Sequence, residues 1–253
     1  MIPQFALSLV CGLSLTWCLM PRRQVTSGYF RIQNLLALGM SVLLFLTAQQ
    51  LFEEGMPGRR LALTPFRALA AAAGVVSFVS SVLWTLERRR AGEIGGSVLL
   101  LLSGAMLIGL APPGEGFVRP IWTVGSLAGA WLLGGSMAAM LLGHWYLTAR
   151  GMPLAPLIRL NGMFLAAVLV RGVLAIAFAA TGPATDWSAH GVWLLLRWGA
   201  GILGPLVMAV LVFRILRYRN TQSATGVLFA AVILVFMGEM AAELLARDRH
   251  WPA

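Results

Sequence analysis

Long apolar runs divide the chain, and this pattern constrains the fold more than any other feature of the sequence. The runs are roughly 18 to 25 residues long, which is the length that crosses a hydrocarbon layer of about 30 Å as an α-helix. Only 11% of the residues are charged, against about 25% in a soluble globular domain. Membrane-spanning β-strands would instead give alternating segments of about ten residues, and the sequence has none. The sequence therefore predicts an all-α, polytopic transmembrane helical bundle.

Clusters of Gly and Pro separate the apolar runs into eight predicted spans. Such clusters at 55–58, 112–114 and 181–183 are typical of loops. The predicted spans form one integral-membrane domain, 1–253, and cover residues 2–20, 35–52, 68–86, 94–111, 121–147, 157–180, 192–216 and 223–246. Pro205 lies inside the seventh of them and predicts a kink, which neighbouring helices can tolerate by satisfying the freed carbonyl.

The arginines predict how the chain is oriented in its membrane. All 19 basic residues are Arg; eleven lie in the predicted loops on one side and six on the other. The positive-inside rule places the richer side in the cytoplasm, so both termini are predicted on the outer, periplasmic side of a bacterial cytoplasmic (inner) membrane. Arginines in short loops anchor a protein to the lipid bilayer, whereas nucleic-acid binding requires a basic patch on a soluble face. Nucleic acid is therefore not a predicted partner.

Three charged residues lie deep within predicted spans, at least five residues from either end, namely Arg171, Arg197 and Glu239. Ionisable groups inside a membrane are expensive, and they usually face the protein interior and serve a function. At 1.5 Å per helical residue, the three residues lie about 9 to 13 Å below the same predicted outer surface. The sequence therefore predicts that they meet in one layer of the sixth, seventh and eighth spans.

Further polar residues are predicted to join this layer. Glu243 follows Glu239 by four residues, so the two carboxylates share a helix face and would neutralise the two arginines. Gln49 and Gln50 end the second span on the same predicted side. We interpret the set as a pocket for a quinone or a lipid head group, in which Glu239 could exchange a proton with water: Arg171, Arg197, Glu239, Glu243, Gln49 and Gln50. The alternative is a structural ion-pair network that locks the three helices together.

His144, near the cytoplasmic end of the fifth span, is a possible ligand of a haem or a quinone. A bis-histidine haem needs a second His at matching depth, and neither His190 nor His250 meets this condition. A haem held by this chain alone is therefore not predicted. The alternative for His144 is a place in the interfacial belt beside Trp145 and Tyr146.

No motif in the sequence identifies a reaction. Phosphate-binding loops, metalloprotease and paired-cysteine motifs and nucleophile elbows do not occur, so we predict no catalytic residue and no metal ligand. At the level of architecture, eight spans with both termini outside resemble the membrane anchor subunits of bacterial molybdo-oxidoreductases, which bind quinone and hold catalytic subunits at the membrane.

This resemblance, which involves no sequence motif, implies an integral-membrane anchor subunit of a multisubunit respiratory or other redox complex. Such a subunit takes part in electron transport, interacts with quinol or is itself non-catalytic, and has other subunits of the complex as partners. Two alternatives stay open at this point. One is a small proton-coupled transporter or channel, and the other is a purely structural membrane scaffold.

Overall fold

The computed structural model describes residues 1–53, 61–111, 118–149, 151–181 and 187–249, and all regular secondary structure in these ranges is helical. Eight of the described helical segments are long and apolar enough to cross a membrane, which confirms the predicted number of spans. The chain is therefore an integral membrane protein. The side on which each terminus lies and the identity of the membrane stay predictions. The predicted loops at 55–58 and 112–114, and His250, lie outside the described residues.

Nine α-helices account for these spans. They are α1 (Ile2–Leu19), α2 (Ser27–Glu53), α3 (Leu63–Thr85), α4 (Arg89–Gly109), α5 (Val118–Thr148), α6 (Ala155–Thr181), α7 (Trp187–Leu195), α8 (Gly204–Arg217) and α9 (Thr221–Arg249), as counted in the described ranges. A π-helical segment, Leu196–Leu203, connects α7 directly to α8, and the three together form the seventh span. A short 3-10 turn, Arg22–Gln24, lies between α1 and α2.

The second span begins at Ser27, eight residues before the predicted start at residue 35. The added stretch contains the polar residues Gln33 and Asn34. In the structure both side chains are buried, and Gln33 Oε1 accepts a hydrogen bond of 2.9 Å from Trp17 Nε1 of α1. Because a partner helix satisfies part of their polarity, the helix can include residues that hydropathy alone assigns to a loop.

The chain divides into two compact units, Met1–Gly134 and Gly135–Ala253. In the first unit α1 packs against α2 and α4, α2 packs against α3, and α3 packs against α4, so the four helices close into a ring. Gly12 of α1 and Gly134 of α5 allow their backbones to touch, since a Cβ on either residue would overlap the other helix. The assignment of the chain to one domain stays a prediction.

In the second unit α9 packs against α7, the π-helical segment and α8, while α6 packs against α8 and the π-helical segment. Asn161 of α6 donates a hydrogen bond of 2.9 Å from Nδ2 to the carbonyl oxygen of Ala209 in α8. Gly201 of the π-helical segment meets Gly238 of α9 so closely that a Cβ on Gly238 would overlap the Gly201 backbone. These contacts bring α6, the seventh span and α9 together around the charged residues.

Candidate functional site

Arg171 of α6 and Glu239 of α9 form a bidentate ion pair. Arg171 Nε donates to Glu239 Oε1 at 3.0 Å, and Arg171 Nη2 donates to Glu239 Oε2 at 3.1 Å. The two parallel N–H groups of a guanidinium match the two oxygens of a carboxylate, which makes this pair strong and fixes its geometry. Only 7% of the Arg171 side chain and 9% of the Glu239 side chain are exposed.

Arg197 joins the pair from the π-helical segment of the seventh span. Its Nη1 donates to Glu239 Oε1 at 3.1 Å, and only 2% of its side chain is exposed. Glu239 therefore accepts hydrogen bonds from two guanidinium groups on two other helices. The convergence that the depths of Arg171, Arg197 and Glu239 suggested is present in the structure, and we call these three residues the buried charge cluster.

Small residues make room for Arg197. A Cβ at Gly201, one turn along the same segment, would lie 3.3 Å from Arg197 Nη1 and 3.0 Å from the Cα of Gly238. A side chain at residue 201 would therefore be tight against both the Arg197 guanidinium and the α9 backbone. Gly199, Gly201 and Gly204 precede Pro205 in this span, and small residues of this kind allow close helix contacts. They do not by themselves indicate a π-helix, a form frequent at functional sites.

One edge of the Arg197 guanidinium has no acceptor in the described part of the chain. Its Nε and Nη2 are buried, and neither has a hydrogen-bond partner among the described residues. Arg171 uses its own Nε and Nη2 to bind the two oxygens of the Glu239 carboxylate. The same edge of Arg197 therefore presents an equivalent pair of parallel N–H donors, which we call the vacant fork. Leaving a buried donor unpaired costs about 1–3 kcal/mol, and more when the group is charged. The fork is therefore suited to receive an oxygen acceptor.

Counted over the described residues, the buried charge cluster carries an excess positive charge, since two guanidinium groups face one carboxylate. Glu243, expected to neutralise the second arginine, instead forms an ion pair with Arg247 one turn further along α9, with Nε and Oε1 3.0 Å apart. A purely structural lock would be expected to balance its charges, because an uncompensated buried charge is destabilising. The imbalance, like the vacant fork, favours a ligand with electron-rich oxygen.

The remaining candidate residues lie on other helices. Gln49 and Gln50 are in α2, within the first compact unit, and their place in the site stays a prediction. His144 is exposed on α5, and its ring lies 6.2 Å from that of Phe229 in an edge-on arrangement. His190 Nε2 lies 2.6 Å from Asp248 Oδ2, joining the start of α7 to the end of α9. The candidate site that the structure supports is therefore the buried charge cluster.

Comparisons of the chain with protein-family models, with curated proteins and with solved structures find no match.

Proposed function

We propose that this protein is an integral-membrane anchor subunit of a multisubunit respiratory or other redox complex, and that Arg171, Arg197 and Glu239 form part of a quinone-binding site in it. The observation that carries the proposal is the vacant Nε and Nη2 edge of Arg197, which is buried within a membrane span. An acceptor that reaches this edge must be soluble in the membrane or extend into it. A quinone meets this condition and carries carbonyl oxygens that accept hydrogen bonds.

The charge of the cluster supports the same class of ligand. A quinone gains electron density on its oxygens when it is reduced, and a nearby excess of positive charge stabilises negative charge in a medium of low dielectric constant. In this proposal Arg197 binds and orients a ring oxygen through its free edge. Arg171 and Glu239 hold the Arg197 guanidinium in place, because Glu239 Oε1 accepts from both arginines.

The excess charge also favours a second candidate, a small proton-coupled transporter or channel. In that case the free edge of Arg197 would hold an anionic solute in place of a quinone, since a guanidinium fork matches carboxylate and phosphate oxygens. The two candidates differ in whether the isolated chain moves a solute across a bilayer and in whether it associates with cofactor-bearing subunits.

The Arg197→Met variant separates a ligand site from a structural lock. Methionine removes the vacant fork and the excess charge, while the bidentate Arg171–Glu239 pair is retained. We expect the free energy of unfolding to change by less than about 1 kcal/mol or to increase, as is common when a buried ion is replaced by an apolar residue. We expect the affinity for a short-tail quinone, measured by photo-crosslinking in nanodiscs, to fall at least about tenfold.

Arg214→Met is the matched control, because Arg214 is an exposed arginine of the same span. It should leave quinone labelling unchanged. Absence of quinone labelling in the wild-type protein would overturn the proposed site, as would equal labelling in the Arg197→Met variant. Solute or proton flux driven by the purified chain alone in liposomes would select the transporter. Co-purification with cofactor-bearing subunits in mild detergent supports the anchor role.

A further inference from the structure

The first compact unit contains a separate narrow pocket near the ends of four helices. It lies where α1 ends and α2 begins, beside the end of α3 and the start of α4. Its centre has room for about one water-sized group. The residues that bear on its chemistry are Trp17, Arg22, Phe30, Asn34, Trp84 and Glu93.

Asn34 lines this pocket and carries an unused acceptor. The residue is 1% exposed, and its Nδ2 donates a hydrogen bond of 2.8 Å to the carbonyl oxygen of Phe30. Its Oδ1 is buried and has no partner in the described part of the chain. Because a buried polar atom normally has a hydrogen-bond partner, Asn34 Oδ1 indicates a donor that enters the pocket. The neighbouring Gln33 Nε2 is also unpaired, but Gln33 does not line the pocket.

The charged residues of the pocket also offer an acceptor. Arg22 directs Nε and Nη2 to the carbonyl oxygens of Trp17 and Cys18, at 2.8 and 3.3 Å, at the end of α1. Its remaining nitrogen, Nη1, is 3.6 Å from Glu93 Oε2, which is a loose ion pair. The Glu93 carboxylate therefore keeps capacity to accept hydrogen bonds from another group.

Aromatic rings form the walls. Phe30 and Trp84 stack with their ring centroids 4.4 Å apart, and Trp17 donates its indole N–H to Gln33 Oε1. Aromatic faces attract organic cations, and this attraction increases when the cation is shielded from water. Rings, a carboxylate and an orphaned amide oxygen together match a small cationic donor better than they match an anion.

We propose that this pocket binds a primary ammonium group, supplied by the ethanolamine head group of a phospholipid. Asn34 Oδ1 and the Glu93 carboxylate accept its N–H groups, and Trp17, Phe30 and Trp84 enclose it. Head groups lie at the level of helix ends, which is where the pocket lies. A quaternary choline head group has no N–H to donate and exceeds the narrow space. This inference is independent of the proposed quinone site.

The test places the purified protein in nanodiscs of equimolar ethanolamine and choline phospholipids and identifies retained lipids by native mass spectrometry. We expect ethanolamine lipid to be retained about tenfold over choline lipid, since a hydrogen bond to a charged group contributes about 1.5–3 kcal/mol. Asn34→Leu and Glu93→Gln should each lower this preference about tenfold, so that each variant retains the two lipids about equally. Asn34→Leu is expected to fold, because it removes an unpaired buried oxygen and a hydrogen bond within α2.

Glu87→Gln is the matched control. Glu87 accepts a hydrogen bond of 2.6 Å from Ser27 at the same helix ends but does not line the pocket, so its variant should retain the lipid preference. A second arm adds free ethanolamine to the protein in choline-only nanodiscs and measures the thermal midpoint. Free ethanolamine that raises the thermal midpoint only when Asn34 and Glu93 are present, together with no preference between the lipids, would assign the ammonium group to a soluble amine. Equal retention of both lipids with no response to the free amine would overturn the proposal.

Discussion

The Glu239→Gln variant is expected to lose much of its stability, with a thermal midpoint in detergent lowered on the order of 10 °C. Glu239 is the carboxylate shared by Arg171 and Arg197, and its side chain is 9% exposed. Glutamine is nearly the same size but carries no charge, so two guanidinium groups would face each other without a counter-ion. Breaking a buried ion pair by removing one partner typically costs about 3–5 kcal/mol.

Glu243→Gln provides the comparison on the same helix. Its carboxylate pairs with Arg247 at 3.0 Å, but 30% of its side chain is exposed, so the substitution should change the stability by less than about 1 kcal/mol. Combining Glu239→Gln with Arg197→Met should recover part of the loss, because the double variant contains one buried guanidinium where the single variant has two without a counter-ion. Equal stability of the two single Gln variants would show that the buried charge cluster does not hold α6, the seventh span and α9 together.

The sequence predicted the spans and the depth of the charges because both depend on one periodic quantity, the helical rise of 1.5 Å per residue. Counting residues from the span ends brought Arg171, Arg197 and Glu239 to one level, and the structure joins them by hydrogen bonds. Depth does not determine which neighbour a side chain reaches. Counting residues therefore places Glu243 on the same helix face as Glu239, but Glu243 pairs with Arg247, four residues further along α9.

The geometry that gives Arg197 its vacant fork was beyond sequence reasoning for another reason. A π-helix depends on how neighbouring helices pack, and the glycines before Pro205 are compatible with a kink or with a widened turn. Contact between Gly201 and Gly238 requires two segments separated along the chain to meet at one register. Similarly, Gln33 lies within a span with its Oε1 bonded to Trp17 of another helix, whereas Asn34 bonds the carbonyl oxygen of Phe30 in its own helix. Single-sequence patterns contain no information about such pairings.

The Gly238→Ala variant is expected to be destabilised although alanine favours helices. A Cβ at residue 238 would overlap the Gly201 backbone, so α9 and the π-helical segment would have to separate. Overpacking typically costs about 1–3 kcal/mol, and the upper part of this range is expected where backbone must move. The gain of about 1 kcal/mol from replacing glycine by alanine in a helix offsets only part of this cost. Thermal unfolding in detergent measures the net change in stability.

Gly226→Ala tests the same substitution in the same helix without the contact. A Cβ there meets nothing within 4 Å, so this variant should be as stable as the wild type or about 1 kcal/mol more stable. Because Glu239 follows Gly238 directly, separation of the helices should also lengthen the bond of 3.1 Å between Glu239 and Arg197. Gly238→Ala is therefore expected to weaken quinone labelling as well as folding. Normal stability with normal labelling would mean that α9 and the seventh span do not meet at these glycines.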